Sequence, residues 1–391
     1  VIGGASAAPP ADAGPPQTVT GIVEVVVGDD YANKRADALY FLRDRATGKG
    51  YTLRFEGMPP RSLKNGAVIR VTGRARGHEL FLEANTAGNP DVALLEDAIS
   101  EATVSGTQNT AVIMLDFPTL PSECTSAAVG DLMFTGPDGT TVDDLYQEMS
   151  SGLVSLSGQV FGPVVLNQGD PQVCDTNGWA NEADEIVRGL GVDVSTYARR
   201  VYVIPRGTAC SYAGLGQVGG TSTRAWVLRC DLNDVYAHEL GHNFGWGHAA
   251  KGTNPYGDVS GIMGYSGYNL RHANGPHQVQ MNWVGDGRVQ DVATDGDYWI
   301  DALALTDDQA VGPQVIRFPK ADDGGYYYVS YRDTIGFDDN LSNLYRRRMN
   351  VHRYAGSGSA KTYLEASLLD GESWTDPING VTVTRLSTSG T

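Results

Sequence analysis

The chain has 391 residues, with 29 lysines and arginines against 46 aspartates and glutamates, for a formal charge of −17. That length suits two or three domains with real cores. Hydrophobic content is an ordinary 41%, no apolar run reaches the ~18 residues of a membrane span, and the acid excess argues against nucleic acid, whose phosphates it would leave unneutralised.

The charge is uneven. Residues 1–90 carry 11 basic and 9 acidic side chains, and the remainder 18 and 37. In chain order, residues 1–17 are rich in Ala, Pro and Gly and read as a flexible tail. Five short alternating runs follow at 20–28, 38–44, 50–57, 67–75 and 78–84. Over 18–95 they predict an OB-like β-barrel, with too few aromatics and too little net charge to favour single-stranded nucleic acid. Residues 96–290 mix strands (111–117, 153–166, 197–205) with helices (142–152, 181–191), the pattern of an α/β domain. Beyond 290, runs at 298–303, 313–318, 325–332, 349–354, 362–368 and 380–386 predict a C-terminal β-sandwich over 291–391. The fold class expected is multidomain α+β.

The four cysteines, Cys124, Cys174, Cys210 and Cys230, form no CxxC pair. Their even number fits two disulfides made in an oxidising compartment. Cys210–Cys230 with Cys124–Cys174 is the simplest of three pairings, and four buried thiols are the alternative. The sequence opens Val1-Ile2-Gly3-Gly4, compatible with a secreted protein whose targeting peptide has been removed.

The chemistry is concentrated in YAHELGHNFGWGH, residues 236–248. His238 and His242 are four apart, so on a helix both imidazoles leave one face and reach one metal ion. Glu239 sits beside the first, placed to take a proton from water. Gly245 permits a sharp turn with positive φ that brings His248 round as a third ligand. Three imidazoles with one open position are the coordination of catalytic zinc, whereas a structural site closes all four positions with protein ligands.

HELGHNFGWGH resembles the long zinc-binding consensus of the metzincin metallopeptidases. Met263, in YGDVSGIMGYSG, stands where that family has its Met-turn. Within the metzincins the segment TACSYAGLGQVGGTSTRAW (208–226) and NGPHQVQMNWV (274–284) are similar to the gametolysin family. The likeness covers roughly 105–290. It implies a zinc endopeptidase with His238, His242 and His248 as ligands, Glu239 as base and later acid, and Met263 as an apolar floor. By the same analogy Tyr265 would stabilise the oxyanion, with Tyr268 competing for the role. His277 is expected to be a core histidine, and Asp258 to hold either a ligand histidine or the turn. The acidic pairs Asp322-Asp323 and Asp338-Asp339 are candidates for calcium, against plain solvated loops.

Many metzincins are kept latent by a propeptide cysteine. Here the first cysteine is Cys124, so a prodomain over 1–95 would have to act sterically or through another ligand, such as a carboxylate or His78. Its near-neutral charge would suit docking on an acidic catalytic domain. An accessory module that stays attached is the competing reading. The expected partner is a protein or peptide substrate. The alternative function is an extracellular adhesion or carbohydrate-binding protein on a catalytically weak scaffold.

Overall fold

A computed structural model describes residues 9–55, 59–60, 63–83, 91–97, 103–137, 139–267, 269–355 and 360–387. Part of the expected tail (1–8), Tyr268, and parts of the segment 90–105 that joins the first two expected domains lie outside the described residues.

The front of the chain supplies β1 (Pro16–Asp30), β2 (Arg35–Asp44), β3 (Gly50–Phe55), β4 (Val68–Arg76), β5 (Glu79–Leu82) and β6 (Val92–Glu96). The first five coincide with the five alternating runs. Their pairings return on themselves, β1–β2–β3–β5–β4 and back to β1, with β6 added beside β4. The inward residues of the alternation, among them Val23, Leu42, Leu53, Ile69 and Leu80, make one core, and Val218 from the middle of the chain packs into it.

Next come β7 (Gly106–Asp116), α1 (Ser126–Gly130), α2 (Val142–Met149), β8 (Val154–Val165), α3 (Thr176–Gly189), β9 (Arg199–Val203), β10 (Gly214–Gln217), β11 (Thr223–Val227) and α4 (Asn233–Asn243). β7, β8, β9 and β11 are parallel and β10 runs antiparallel beside β11. Both faces of this sheet are covered, which accounts for the near-continuous apolar run at 111–117. Val112 and Met114 face α2 and α4, while Ala111, Ile113 and Leu115 face α3. The helix start at Val142 is fixed by a capping box, in which the Thr141 hydroxyl accepts from Asp144 N–H and the Asp144 carboxylate accepts from Thr141 N–H.

The last part holds β12 (Ala249–Ala250), α5 (Gly275–Gln280), β13 (Val289–Asp291), β14 (Val315–Lys320), β15 (Gly325–Arg332), β16 (Arg348–Tyr354), β17 (Thr362–Leu368), β18 (Ser373–Asp376) and β19 (Val381–Thr384). Six of these strands form one mixed sheet, β12-β17-β16-β15-β14-β13, and β18 and β19 form a separate two-stranded ribbon whose Trp374 and Val383 pack against it. The strand expected at 298–303 is absent. That segment lies beside β15 through one bridge, Ala302 to Tyr331. The ribbon strand β18, in a polar ESWTD stretch, had no alternating signal.

Two features position the site. First, β1 pairs not only with β2 and β4 but with β10, so front and middle strands form one eleven-stranded sheet. The expected boundary at 95/96 divides the chain and not the sheet. Second, β12 begins directly after His248 and pairs with β17, with Thr362 N–H donating to His248 O at 3.0 Å. The C-terminal sheet therefore anchors the third histidine.

Both disulfides form, but not in the simplest pairing. The bonds are Cys124–Cys230 and Cys174–Cys210. Cys124 follows β7 and Cys230 follows β11, parallel strands that end on the same side of the sheet. Residues 106 apart in sequence are thereby brought together.

Candidate metal centre

Helix α4 is buried from Asp234 to Asn243, with its histidine face turned toward β1 and β10. His238 Nδ1 lies 3.0 Å from Ile262 O, and His242 Nδ1 lies 2.8 Å from Trp246 O. A carbonyl only accepts, so each Nδ1 carries the proton and each Nε2 presents a lone pair, the tautomer of a metal ligand. The helix ends at Asn243 and Gly245 takes φ 103°, swinging the chain so that His248 faces the other two. The three ring centroids are separated by 4.8 to 5.4 Å.

A fourth side chain completes the cluster. Asp29, at the end of β1, puts Oδ1 2.6 Å from His248 Nε2, and Oδ2 3.4 Å from His242 Nε2 and 3.6 Å from His238 Nε2. The four donor atoms lie within 4.8 Å of one another, and all four residues are buried. A tetrahedral zinc with bonds of about 2.0–2.1 Å has donor–donor edges of roughly 3.3 Å, close to the two longer separations. The His248 contact has a hydrogen-bond length and must widen to admit an ion. His238 Nε2, His242 Nε2 and Asp29 Oδ2 have no hydrogen-bond partner, although each is buried. Burying such atoms unsatisfied is costly, and a cation at their centre removes that cost. The donor set therefore fits zinc.

The electrostatics agree with this arrangement. Burial pushes the His248 pKa down to about 3, against the opposing pull of Asp29. Burial would raise the Asp29 carboxyl, but the surrounding histidines, His248 foremost, hold it well below the usual carboxylate range. Glu239 is raised well above it, first by burial and then by the neighbouring Asp29 charge. Neither Glu239 oxygen has a hydrogen-bond partner.

The glycines of β10 make room for this helix. A Cβ on Gly214 would stand 2.1 Å from Glu239 Oε1, and one on Gly216 would stand 2.7 Å from His242 Cβ. Met263 is fully buried and packs under α4 at Gly241, where an added Cβ would meet its sulfur at 2.4 Å. Tyr265 lies near Tyr31, at 5.2 Å between ring centroids, and its N–H donates to Tyr256 O. The Tyr256 phenol reaches the cluster. Its hydroxyl is 2.9 Å from Asp29 Oδ1 and 2.7 Å from Arg35 O, with its ring 4.7 Å from His248.

The chain matches the model of the gametolysin peptidase M11 family over residues 78–369, three quarters of its length. It belongs to the gametolysin peptidase family. The family match runs well past the 105–290 of the sequence resemblance and takes in most of the C-terminal sheet. Autolysin from Chlamydomonas reinhardtii is 28% identical over 227 residues, 46% of this chain and 36% of that protein, so the match spans about a third of the relative. A crystal structure of metalloproteinase-II from Bacteroides fragilis aligns over 69% of this chain and 91% of that one, at 10% identity and a TM-score of 0.30.

The other sequence candidates are accounted for within this gametolysin-family chain. His277 is a core residue stacked on Trp246 at 5.4 Å. Asp258 contacts no ligand histidine. It accepts from Ser260 N–H, from Asn274 Nδ2 at 3.1 Å, and lies 2.9 Å from His352 Nε2, so it ties the turn before Met263 to β16. The calcium candidates are engaged elsewhere: Lys320 pairs with Asp322 and Asp323, Arg332 with Asp338, and Arg346 with Asp339. His78 is not among the clustered donors; its Nδ1 lies 3.3 Å from Gly50 O. Asp29, Tyr31 and Tyr256 escaped the sequence reading because their roles depend on strand pairing and loop packing. The one local signal was the acid pair ending the apolar run VVVGDD.

Proposed function

We propose that the protein is a secreted zinc endopeptidase of metzincin type that cleaves peptide bonds of extracellular proteins. The observation that carries this reading is the buried convergence of three imidazole Nε2 atoms beside a partnerless Glu239. His238, His242 and His248 would hold the ion. Bound zinc supplies a Lewis acid that polarises the scissile carbonyl and activates water at neutral pH. Glu239, as the carboxylate, would accept the proton that water gives up, and its burial would favour holding that proton until it passes to the leaving amine. Met263 sets the floor, and the side of β10 that pairs with β1 would, once β1 is displaced, offer peptide N–H groups and carbonyls on which an extended substrate pairs as an added strand.

Two disulfides suit an oxidising compartment. The closed strand circuit of the front reads as an OB-like barrel, and the C-terminal sheet with its ribbon reads as sandwich-like. The test compares Asp29→Ala with Asp29→Ala/Glu239→Ala, a background that frees the fourth ligand position. One zinc per chain is expected in both, with casein hydrolysis at least a hundredfold lower in the double variant. Hydrolysis that survives the loss of Glu239 would overturn the mechanism. Zinc without hydrolysis in either form would favour the adhesion or carbohydrate-binding reading.

A further inference from the structure

We propose that residues 26–31 occupy the peptide-binding cleft as a built-in substrate analogue: their pairing with β10 marks the substrate track, Asp29 fills the fourth metal position, and Tyr31 fills a side-chain pocket suited to aromatic residues. The proposal rests on the zinc-peptidase reading. It makes the chain latent until this segment is displaced.

Three independent features of the segment coincide. Its backbone covers the edge of β10, with Val26 opposite Gln217 and Asp29 opposite Gly214. The edge bonds continue beyond the strand, where Ala213 N–H donates to Asp29 O at 2.8 Å and Val218 N–H donates to Val25 O at 2.9 Å. An edge strand offers one row of hydrogen-bonding groups, so β1 and a substrate cannot use it together. Asp29 is fully buried, its carboxylate spans all three histidines, and the Tyr256 hydroxyl steadies it. Gly28 lets the backbone lie flat on Tyr212, where a Cβ would meet the ring at 2.7 Å.

Tyr31 extends the analogy to specificity. It is buried between His238, at 5.7 Å, Tyr256, at 4.8 Å, and Tyr265, at 5.2 Å. Its position, C-terminal to Asp29 on a strand antiparallel to β10, fixes which side of the cleft this pocket serves. A peptide pairing in the same sense directs the side chain after its scissile bond toward it. Edge-to-face contacts with His238 and Tyr256, with Tyr265 tilted against the third side, favour an aromatic occupant.

Latency here does not use charge in the way the composition suggested. The front arginines pair within their own region: Arg35 with Asp37, Arg43 with Glu24, Arg54 with Glu79, Arg74 with Glu83. The charged group presented to the zinc helix is an acid.

The experiment uses the full chain, Asp29→Ala and Gly28→Val, the last leaving every cluster residue in place while wedging the segment off Tyr212. Two readouts are independent of hydrolysis: the visible spectrum of the cobalt(II)-substituted protein, and the affinity of acetohydroxamate for the zinc form. Asp29→Ala should alter the cobalt spectrum and raise hydroxamate affinity at least tenfold. Gly28→Val should raise it in the same direction. In the opened forms, peptides with Phe or Tyr after the scissile bond should be cleaved at least tenfold faster than those with Ala. An unchanged spectrum and affinity in both variants would overturn the plug, and equal cleavage of Ala and Phe peptides would overturn the aromatic pocket. A changed spectrum with no peptide hydrolysis would support the plug while defeating the peptidase reading.

Discussion

Asp29 Oδ1 lies 2.6 Å from His248 Nε2, across 219 residues of sequence. Both groups are buried, and the contact holds only with a proton or a metal ion between the two atoms. It places the end of the first strand inside a cluster otherwise built within eleven consecutive residues, His238 to His248. The front region is thereby part of the site's chemistry as well as of its sheet.

Two tyrosines compete for the role of donor to the developing oxyanion. Tyr256 already donates to an oxygen of the carboxylate in the cluster, whereas Tyr265 was favoured on family analogy. In a form freed of Asp29, Tyr256→Phe should keep zinc and lower kcat by about 10²-fold, the effect of removing one such donor. Tyr265→Phe should cost less. Steady-state kinetics on both variants decides it, and the reverse order would restore Tyr265.

Gly214 should be intolerant of even one methyl group. A Cβ there overlaps the Glu239 carboxylate at 2.1 Å, and β10 cannot retreat while β11 holds it. In the Asp29→Ala background, Gly214→Ala should therefore bind zinc normally but lose at least a hundredfold in kcat. Full activity would mean that Glu239 is not held where the structure has it.

Arg332 and Asp338 form a fully buried, two-bonded pair at 2.6 Å. Burial alone would raise the Asp338 pKa, but Arg332, helped by His272, holds it below the ordinary carboxylate value. A depressed native pKa gives stability that is complete above about pH 4 and is lost as pH falls through the native value. Arg332→Met should cost about 3–5 kcal/mol at pH 7 by stranding Asp338. In urea melts the gap between wild type and variant should narrow toward pH 3. A constant gap would show that the pair does not titrate with folding.

The disulfide connectivity has a direct chemical readout. Non-reducing peptide mapping should recover Cys124 with Cys230 and Cys174 with Cys210. By chain entropy the longer loop is the stronger constraint, about 4.8 against 3.8 kcal/mol, so Cys124→Ser should lower Tm more than Cys174→Ser. Recovery of Cys210 linked to Cys230 would contradict the fold around β9 and β11.

What could be read from the sequence was what short-range geometry dictates. His238, His242 and Glu239 follow from one helical turn, His248 from a glycine turn, and the five front strands from alternation of period two. A helix was legible at 142–152, and the structure has it at 142–149. What could not be read was pairing between distant strands. Nothing local in VVVGDD says that its aspartate meets histidines two hundred residues on, and a carboxylate as the blocking ligand was only one option beside His78. The disulfides failed for the same reason, since nearness in sequence is a poor guide to which ends of parallel strands coincide. Tyr256 was missed because its loop position carries no periodic signal, whereas Tyr265 drew attention by its spacing from Met263.

Zinc K-edge X-ray absorption on the intact chain tests the central claim most directly. The account predicts one zinc per chain, four nitrogen or oxygen neighbours at about 2.0–2.1 Å, and multiple scattering from three imidazoles. It also predicts that the fourth scatterer changes in Asp29→Ala while the three imidazoles remain. A shell with fewer than three imidazoles, sulfur ligation, or no bound zinc would contradict it.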